Sequence, residues 1–284
     1  MKFEYTTIEA NNWEAFKSLI GQFSENWAFR GQSDARWILN NSIERSEFIN
    51  HHKDIESEFL AEFQRGARNY LSKDEIPEHL IEWLALMQHH GAPTRLLDLT
   101  KSPFIAAYFA YELCEAKKGL FVAVWGINVQ YLKERSIEIL SQDFEEALQQ
   151  NQNLINEKLF EKIFYENNRS LVFPVEPFRM NRRYSLQQSI FVSTGTSKEP
   201  FMQQLQFLGD VLPKAVVKIQ LPAVYKKEAL RDLQKMNLHR ASLFPDLDGY
   251  ALSMKLRYDS MKSPEELKKE CEDKKGDPSY RFIP

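Results

Sequence analysis

The sequence predicts an α+β fold, mainly helical, with a small, mostly antiparallel sheet of short strands. Two observations carry that reading. Apolar residues recur at helical period through much of the first half of the chain. Short β-branched and aromatic runs are scattered among them without regular strand–helix alternation, which disfavours a doubly wound sheet.

The elements follow in order. Ile8 to Phe23 places Ile8, Trp13, Phe16, Leu19, Ile20 and Phe23 at helical spacing. Trp27 to Gly31 reads as a short strand closed by glycine, and Ala35 to Leu39 as a second extended piece. Ser46 to Tyr70 carries Ile55, Phe59, Phe63 and Ala67 along one helical stripe. Glu75 to His89 is a further helix, with Pro77 in its first turn. Gly91 to Thr94 breaks it, and Pro103 to Cys114 resumes as an apolar helix. Gly119 to Ile127 (GLFVAVWGI) is the clearest buried strand. Tyr131 to Phe164 is helical and polar. Leu171 to Val175 is extended around Pro174. Ser189 to Ser193 and Ala215 to Leu221 read as strands, Pro222 to Leu238 as a helix, Ser242 to Gly249 as a loop and Tyr250 to Tyr258 as a helix. One domain over residues 1–262 accommodates these elements, with 131–168 as a helical insertion or lid and 263–284 as a charged tail.

Composition narrows the class. The chain has 284 residues, 43% hydrophobic and 27% charged, so a core needs no disulfide or metal to hold it. The net charge of −3 makes long duplex nucleic acid an unlikely partner, while leaving room for a local basic patch. Two cysteines, Cys114 and Cys271, are too few for a disulfide framework or a Cys-rich zinc site, and fit a reducing compartment. No apolar run reaches the roughly 18 residues of a membrane span. Met1 to Glu9 has no apolar stretch after its early lysine, so the expectation is a cytoplasmic protein without a secretory leader and without membrane contact.

Four stretches concentrate chemistry. Arg30 ends a predicted strand and Gly31 follows at once. There the planar guanidinium can face a pocket edge, and glycine lets a ligand approach the backbone; a surface arginine before a turn is the alternative. The stretch from Gln88 to Ala110 crowds His89, His90, Thr94, Arg95 and Asp98 into a loop between apolar helices. Either Arg95 and Asp98, at i,i+3, form a buried structural knot, or His89 or His90 lines a cleft with Arg95. Arg179, Arg182 and Arg183 precede Gln187, Gln188 and a strand, where they suit bidentate phosphate or carboxylate, or a solvated loop. Asp246 and Asp248 resemble the start of a calcium loop. Arg257, however, stands where the bidentate acid belongs, so no metal is expected and one of the two aspartates caps the following helix. The P-loop, dinucleotide-binding, zincin and nucleophile-elbow signatures are absent.

The Phe29-Arg30-Gly31 triplet, QHHGAPTRLLDLT at Gln88–Thr100 and SPFIAAYFA at Ser102–Ala110 together resemble the FRG domain family. The pattern on Arg183, Gln187, Gln188 and Phe191 and the segment Leu243–Gly249 are similar to that family too; where the family usually has glycine after the second glutamine, this chain has Ser189. The resemblance implies a protein of bacterial or phage type, from a family found near defence genes. By analogy its layout looks similar to ADP-ribosyltransferase-like folds, which place Arg-Gly or His-Gly at the end of an early strand to hold NAD. Tyr108-Phe109-Ala110 and Ser193-Thr194 resemble later segments of those folds. What this implies is an NAD-using ADP-ribosyltransferase or NAD hydrolase, with NAD as substrate and no required cofactor. Arg30, His90 and Asp246 would be catalytic, and Gly31, Thr94, Arg95, Asp98, Arg183 and Gln188 would bind ligand. The competing expectation is a module that binds a phosphorylated small molecule, a nucleotide or a nucleic-acid end without turnover. An interaction protein with a protein target, its motifs purely structural, is the third.

Overall fold

The computed structural model describes residues 5–46, 55–150, 155–177 and 182–260. The strands among them are β1 (Thr6–Glu9), β2 (Trp27–Gln32), β3 (Leu96–Thr100), β4 (Phe121–Asn128), β5 (Val172–Val175), β6 (Ser189–Thr194) and β7 (Val216–Pro222). They form one seven-stranded sheet in the order β1-β7-β4-β2-β3-β6-β5. Only the β1–β7 pairing is parallel; the other neighbours are antiparallel. The predicted class and the prevailing antiparallel pairing are therefore present, but the sheet is not small: it spans the molecule.

β4 shows why GLFVAVWGI reads as a continuous apolar run. Val122 and Val124 face one core, and Ala123, Trp125 and Ile127 face another, so both sides of the strand are covered. On the first side lie α1 (Trp13–Ile20), α5 (Pro103–Glu112) and α11 (Lys226–Lys235). Asn12 caps α1 by accepting from the Ala15 N–H at 2.7 Å, and Ser102 caps α5, with Pro103 filling its first position. The predicted helix from Ile8 is thus shortened. Its first residues form β1 instead, an exposed edge strand whose TTIE has too little apolar alternation to register as one.

Between these lie the short α2 (Ser42–Arg45), α3 (Ile55–Ala67) and α4 (Leu80–His89), and after β4 come α6 (Val129–Gln150) and α7 (Glu157–Glu166). The expected helical insertion or lid over 131–168 falls mostly on α6 and α7. Leu140, Phe144, Leu148, Leu159, Phe160, Ile163 and Phe164 are buried in a third core with Trp83, Leu84 and Phe173. Burying side chains of this kind is worth about 1.5–3 kcal/mol each. The remaining helices are α8 (Arg182–Leu186), α9 (Phe201–Gln204), α10 (Leu212–Ala215), α12 (Arg240–Leu243) and α13 (Leu247–Ser260).

Two further expectations change. Ala35 to Leu39 forms no strand. The TRLLDLT stretch is no loop: Leu96–Thr100 is β3, at the middle of the sheet. The tail over 263–284, Cys271, Phe178 and Arg179 lie outside the described residues.

Candidate anion-binding cleft

β2 pairs with β4 over all six of its residues, yet with β3 only through Phe29 and Thr100. Past that single rung the two strands separate and the sheet splits. Arg30 spans the opening: its Nη1 donates to the main-chain oxygen of Asp98 at 2.8 Å.

Three cavities meet at Arg30. One of about 260 Å³ is lined by Asp98, Thr100, Phe109, Arg183, Gln187 and Ser189. A groove of about 680 Å³ is lined by Arg36, Trp37, Ile38, Asn40, Arg45, Phe109 and Leu113. A third, of about 200 Å³, lies between Arg45, Gln88 and Asp98. Phe109 borders the first two, and the Arg45–Asp98 pair borders the third.

The charge around this split is unbalanced. Asp98 is the one carboxylate lining the three cavities among the described residues. Arg36 is committed elsewhere, forked onto Asp34 with Nε at 3.0 Å from both carboxylate oxygens; this pair holds the Asp34 carboxyl below its usual range. Arg45 donates to the Asn40 carbonyl at 2.7 Å. Among the described residues, no carboxylate lies within ion-pair distance of Arg30, Arg45 or Arg183. Burial pushes the pKa of Arg30 down, Asp98 offsets this and the positive charge of Arg45 adds to it. Arg45 is lowered by burial as well, again opposed by Asp98. Both remain cations, since a guanidinium does not lose its proton in proteins. Among the described residues, the Nε atoms of Arg30 and Arg183 are buried without a hydrogen-bond partner. A buried donor left unmatched costs about 1–3 kcal/mol, more when charged.

The cleft has a backing plate. Gln187 donates through Nε2 to the Leu243 carbonyl at 3.0 Å, and its own carbonyl accepts from Thr100 Oγ1 at 2.7 Å. The guanidiniums of Arg183 and Arg240 lie 4.5 and 3.9 Å from the Phe244 ring centroid. Arg240 in turn donates to Glu112, which also accepts from the Tyr108 hydroxyl, both at 2.8 Å. Burial and the adjacent Glu112 carboxylate push the Tyr108 phenol up, so it stays protonated.

The expected site residues divide. Arg30, Gly31, Asp98 and Arg183 line the same cavity. Gly31 has a different reason for being glycine: a Cβ there would overlap the Ala106 carbonyl oxygen and come within 2.6 Å of the Ala110 nitrogen. It admits the backbone of α5, not a ligand. Thr94 and Arg95 are buried in a knot. Thr94 exchanges hydrogen bonds with Ser42, its N–H donating to Oγ at 2.9 Å. Arg95 is 1% exposed, donates through both N–H and Nε to Glu56 at 2.7 Å, and sits 4.2 Å over the Phe164 ring. The expected Arg95–Asp98 pair does not form, because helical i,i+3 spacing has no meaning on a strand, where such residues point to opposite faces.

Gln188 takes a left-handed φ of 48° in an exposed turn, and its neighbour Gln187 lines the cavity instead. His90 lies in a separate pocket of about 340 Å³ with His89, Glu82 and Tyr184. Asp246 caps α13, accepting from the Gly249 N–H at 2.5 Å, as the sequence predicted for one of the two aspartates. Neither His90 nor Asp246 lines the cavities around Arg30. Ser193 and Thr194 are fully buried. Sequence reasoning missed Arg45 and Trp37, and it named Gln187 and Phe109 only within motifs, without a site role of their own.

Among the described residues, no group of three or more His, Cys, Asp or Glu is placed to hold a metal ion, and no helix is long and apolar enough to cross a membrane. A family model for the FRG domain matches residues 25–119. No match was found among curated proteins or solved structures. The matched stretch runs from β2 through α5 and supplies Arg30, Arg45, Asp98 and Phe109, while Arg183 and Gln187 come from the chain beyond it. The chain carries an FRG domain over residues 25–119.

Proposed function

We propose that the split between β2 and β3 binds a phosphorylated small molecule of the nucleotide class, held at its phosphate by Arg30, Arg45 and Arg183. One observation carries the reading: three arginines with no carboxylate partner among the described residues surround the split, and two of them have a buried Nε that lacks an acceptor among those residues. A guanidinium fork matches phosphate bidentately, and the low dielectric of a cleft strengthens that contact. Titration calorimetry with inorganic pyrophosphate and with NAD is the test. Binding that weakens as salt is raised supports the reading, and no heat with either ligand at millimolar concentration refutes it.

NAD turnover is the second reading, in line with the ADP-ribosyltransferase-like analogy. It is favoured by Asp98, a carboxylate in the same cavity as Arg30 and free of any ion pair among the described residues. On this reading Asp98, rather than Asp246, stabilises the oxocarbenium-like charge as the nicotinamide bond breaks. Chromatographic measurement of NAD consumption decides it: wild type consumes NAD and Asp98→Asn does not.

A further inference from the structure

The larger of the cavities at Arg30 differs from the others in chemistry. It is lined by Trp37, Ile38 and Leu113, which are 54%, 39% and 74% exposed, together with cationic side chains. Among the described residues the indole is left half open, in a cluster of exposed apolar side chains of the kind that marks binding sites. Trp37 is nevertheless anchored. Its carbonyl accepts from Lys218 Nζ at 3.1 Å, and its neighbour Arg36 is forked onto Asp34. Arg30 and Arg45 line the same groove, so aromatic and cationic side chains share a volume of about 680 Å³. Small-molecule sites run from about 300 to 1,000 Å³ and pair apolar walls with a few polar groups that fix orientation.

We infer that this groove recognises the nucleobase of a nucleotide, with the base against Trp37 and the phosphate at Arg30 and Arg45. The inference rests on the phosphate-binding reading above and adds the planar group that distinguishes a nucleotide from phosphate alone. Stacking on an aromatic side chain is sequence-tolerant, so the groove selects for a base without specifying which one. The occupant is a free nucleotide, because the chain's net charge of −3 opposes a long polyanion.

The test measures affinities of the full chain for inorganic pyrophosphate and for ADP, in wild type, Trp37→Ala, Trp37→Phe and Arg30→Ala. The expected result is that ADP binds wild type at least tenfold more tightly than pyrophosphate. Trp37→Ala then removes that advantage while leaving pyrophosphate affinity unchanged, and Trp37→Phe restores most of it. Arg30→Ala weakens both ligands. Trp37 is exposed, so its replacement leaves folding intact, which the melting temperature checks. Equal affinity of wild type for ADP and pyrophosphate, or a Trp37→Ala variant that keeps the ADP advantage, overturns the inference and leaves the phosphate site standing. Failure of wild type to bind either ligand overturns both.

Discussion

Arg30 bridges a break in the sheet: its guanidinium reaches the Asp98 carbonyl on β3 at 2.8 Å, beyond the single rung that joins the two strands. A charged side chain there takes over a contact that main chain would otherwise make. That leaves an opening at the middle of the sheet, with the remaining guanidinium donors at its edge. The position follows from β2 pairing fully with β4 while α5 presses on Gly31 from one side. Fold and site are thus coupled at two adjacent residues.

Arg30→Ala is expected to separate binding from stability. It removes one charged hydrogen bond, worth at most about 2 kcal/mol, and also removes a buried cation whose Nε had no acceptor. Unfolding in urea should move little, whereas pyrophosphate affinity should fall tenfold or more, about 1.4 kcal/mol or above. Arg30→Lys should not recover it, because a point charge cannot hold the Asp98 carbonyl and a phosphate oxygen together as a fork does.

Arg95→Ala should behave in the opposite way. Its partner Glu56 is 2% exposed and accepts both the Arg95 N–H and Nε, so truncation leaves a buried carboxylate with only one of these bonds. Removing one partner of a buried pair costs about 3–5 kcal/mol. Urea denaturation should show that loss, and the paired replacement Arg95→Met with Glu56→Leu should recover much of it, since neither charge then needs compensation.

These contrasts show what sequence could and could not convey. Sequence pattern located β2, β4, β6, β7 and the helix read over Pro103 to Cys114, because each buries a face in its own segment. β3 escaped notice: LLDLT is five residues long, and its flanking Thr94 and Arg95 are made compatible with burial by the nearby Gln88 and by Ser42 and Glu56, both distant in sequence. Arg30 and Asp98 could each be suspected from residue type. Their convergence, and the exclusion of His90 and Asp246, depend on a strand pairing that no local pattern encodes. The Glu56 partner of Arg95 was hidden for the same reason, and a loop reading of the segment made Asp98 look like the natural one.

Gly31→Ala is expected to damage the fold before the site. The added methyl would meet the Ala106 carbonyl oxygen and the Ala110 nitrogen, both main chain and unable to yield without moving α5 off the sheet. Overpacking of a core usually costs about 1–3 kcal/mol, and a main-chain obstacle sets the upper end of that range. The melting temperature should drop, and pyrophosphate affinity measured well below it should fall by less than for Arg30→Ala. A ligand-approach role for this glycine would give the reverse order.

The pH dependence of stability should carry a contribution from His89. Burial holds its pKa below the ordinary value of about 6.5, reinforced by the positive charges of Arg183 and His90 and opposed by Asp246 and Asp98. Its Nδ1 is buried without a partner, so no hydrogen bond rewards protonation at that atom. The unfolded chain therefore binds the proton at a higher pH than the folded one. Where the unfolded state holds more protons, stability rises with pH; the contribution of His89 is complete above about pH 6.5 and is lost as pH falls through the lower folded pKa. The urea midpoint should decline as pH falls below about 6.5, a window above that of the depressed carboxyls of Asp34 and Asp232, which act below about pH 4. His89→Gln should flatten the profile in the upper window and leave the acid limb in place. A wild-type midpoint that stays level from pH 7 to 5 would show that His89 titrates alike in both states.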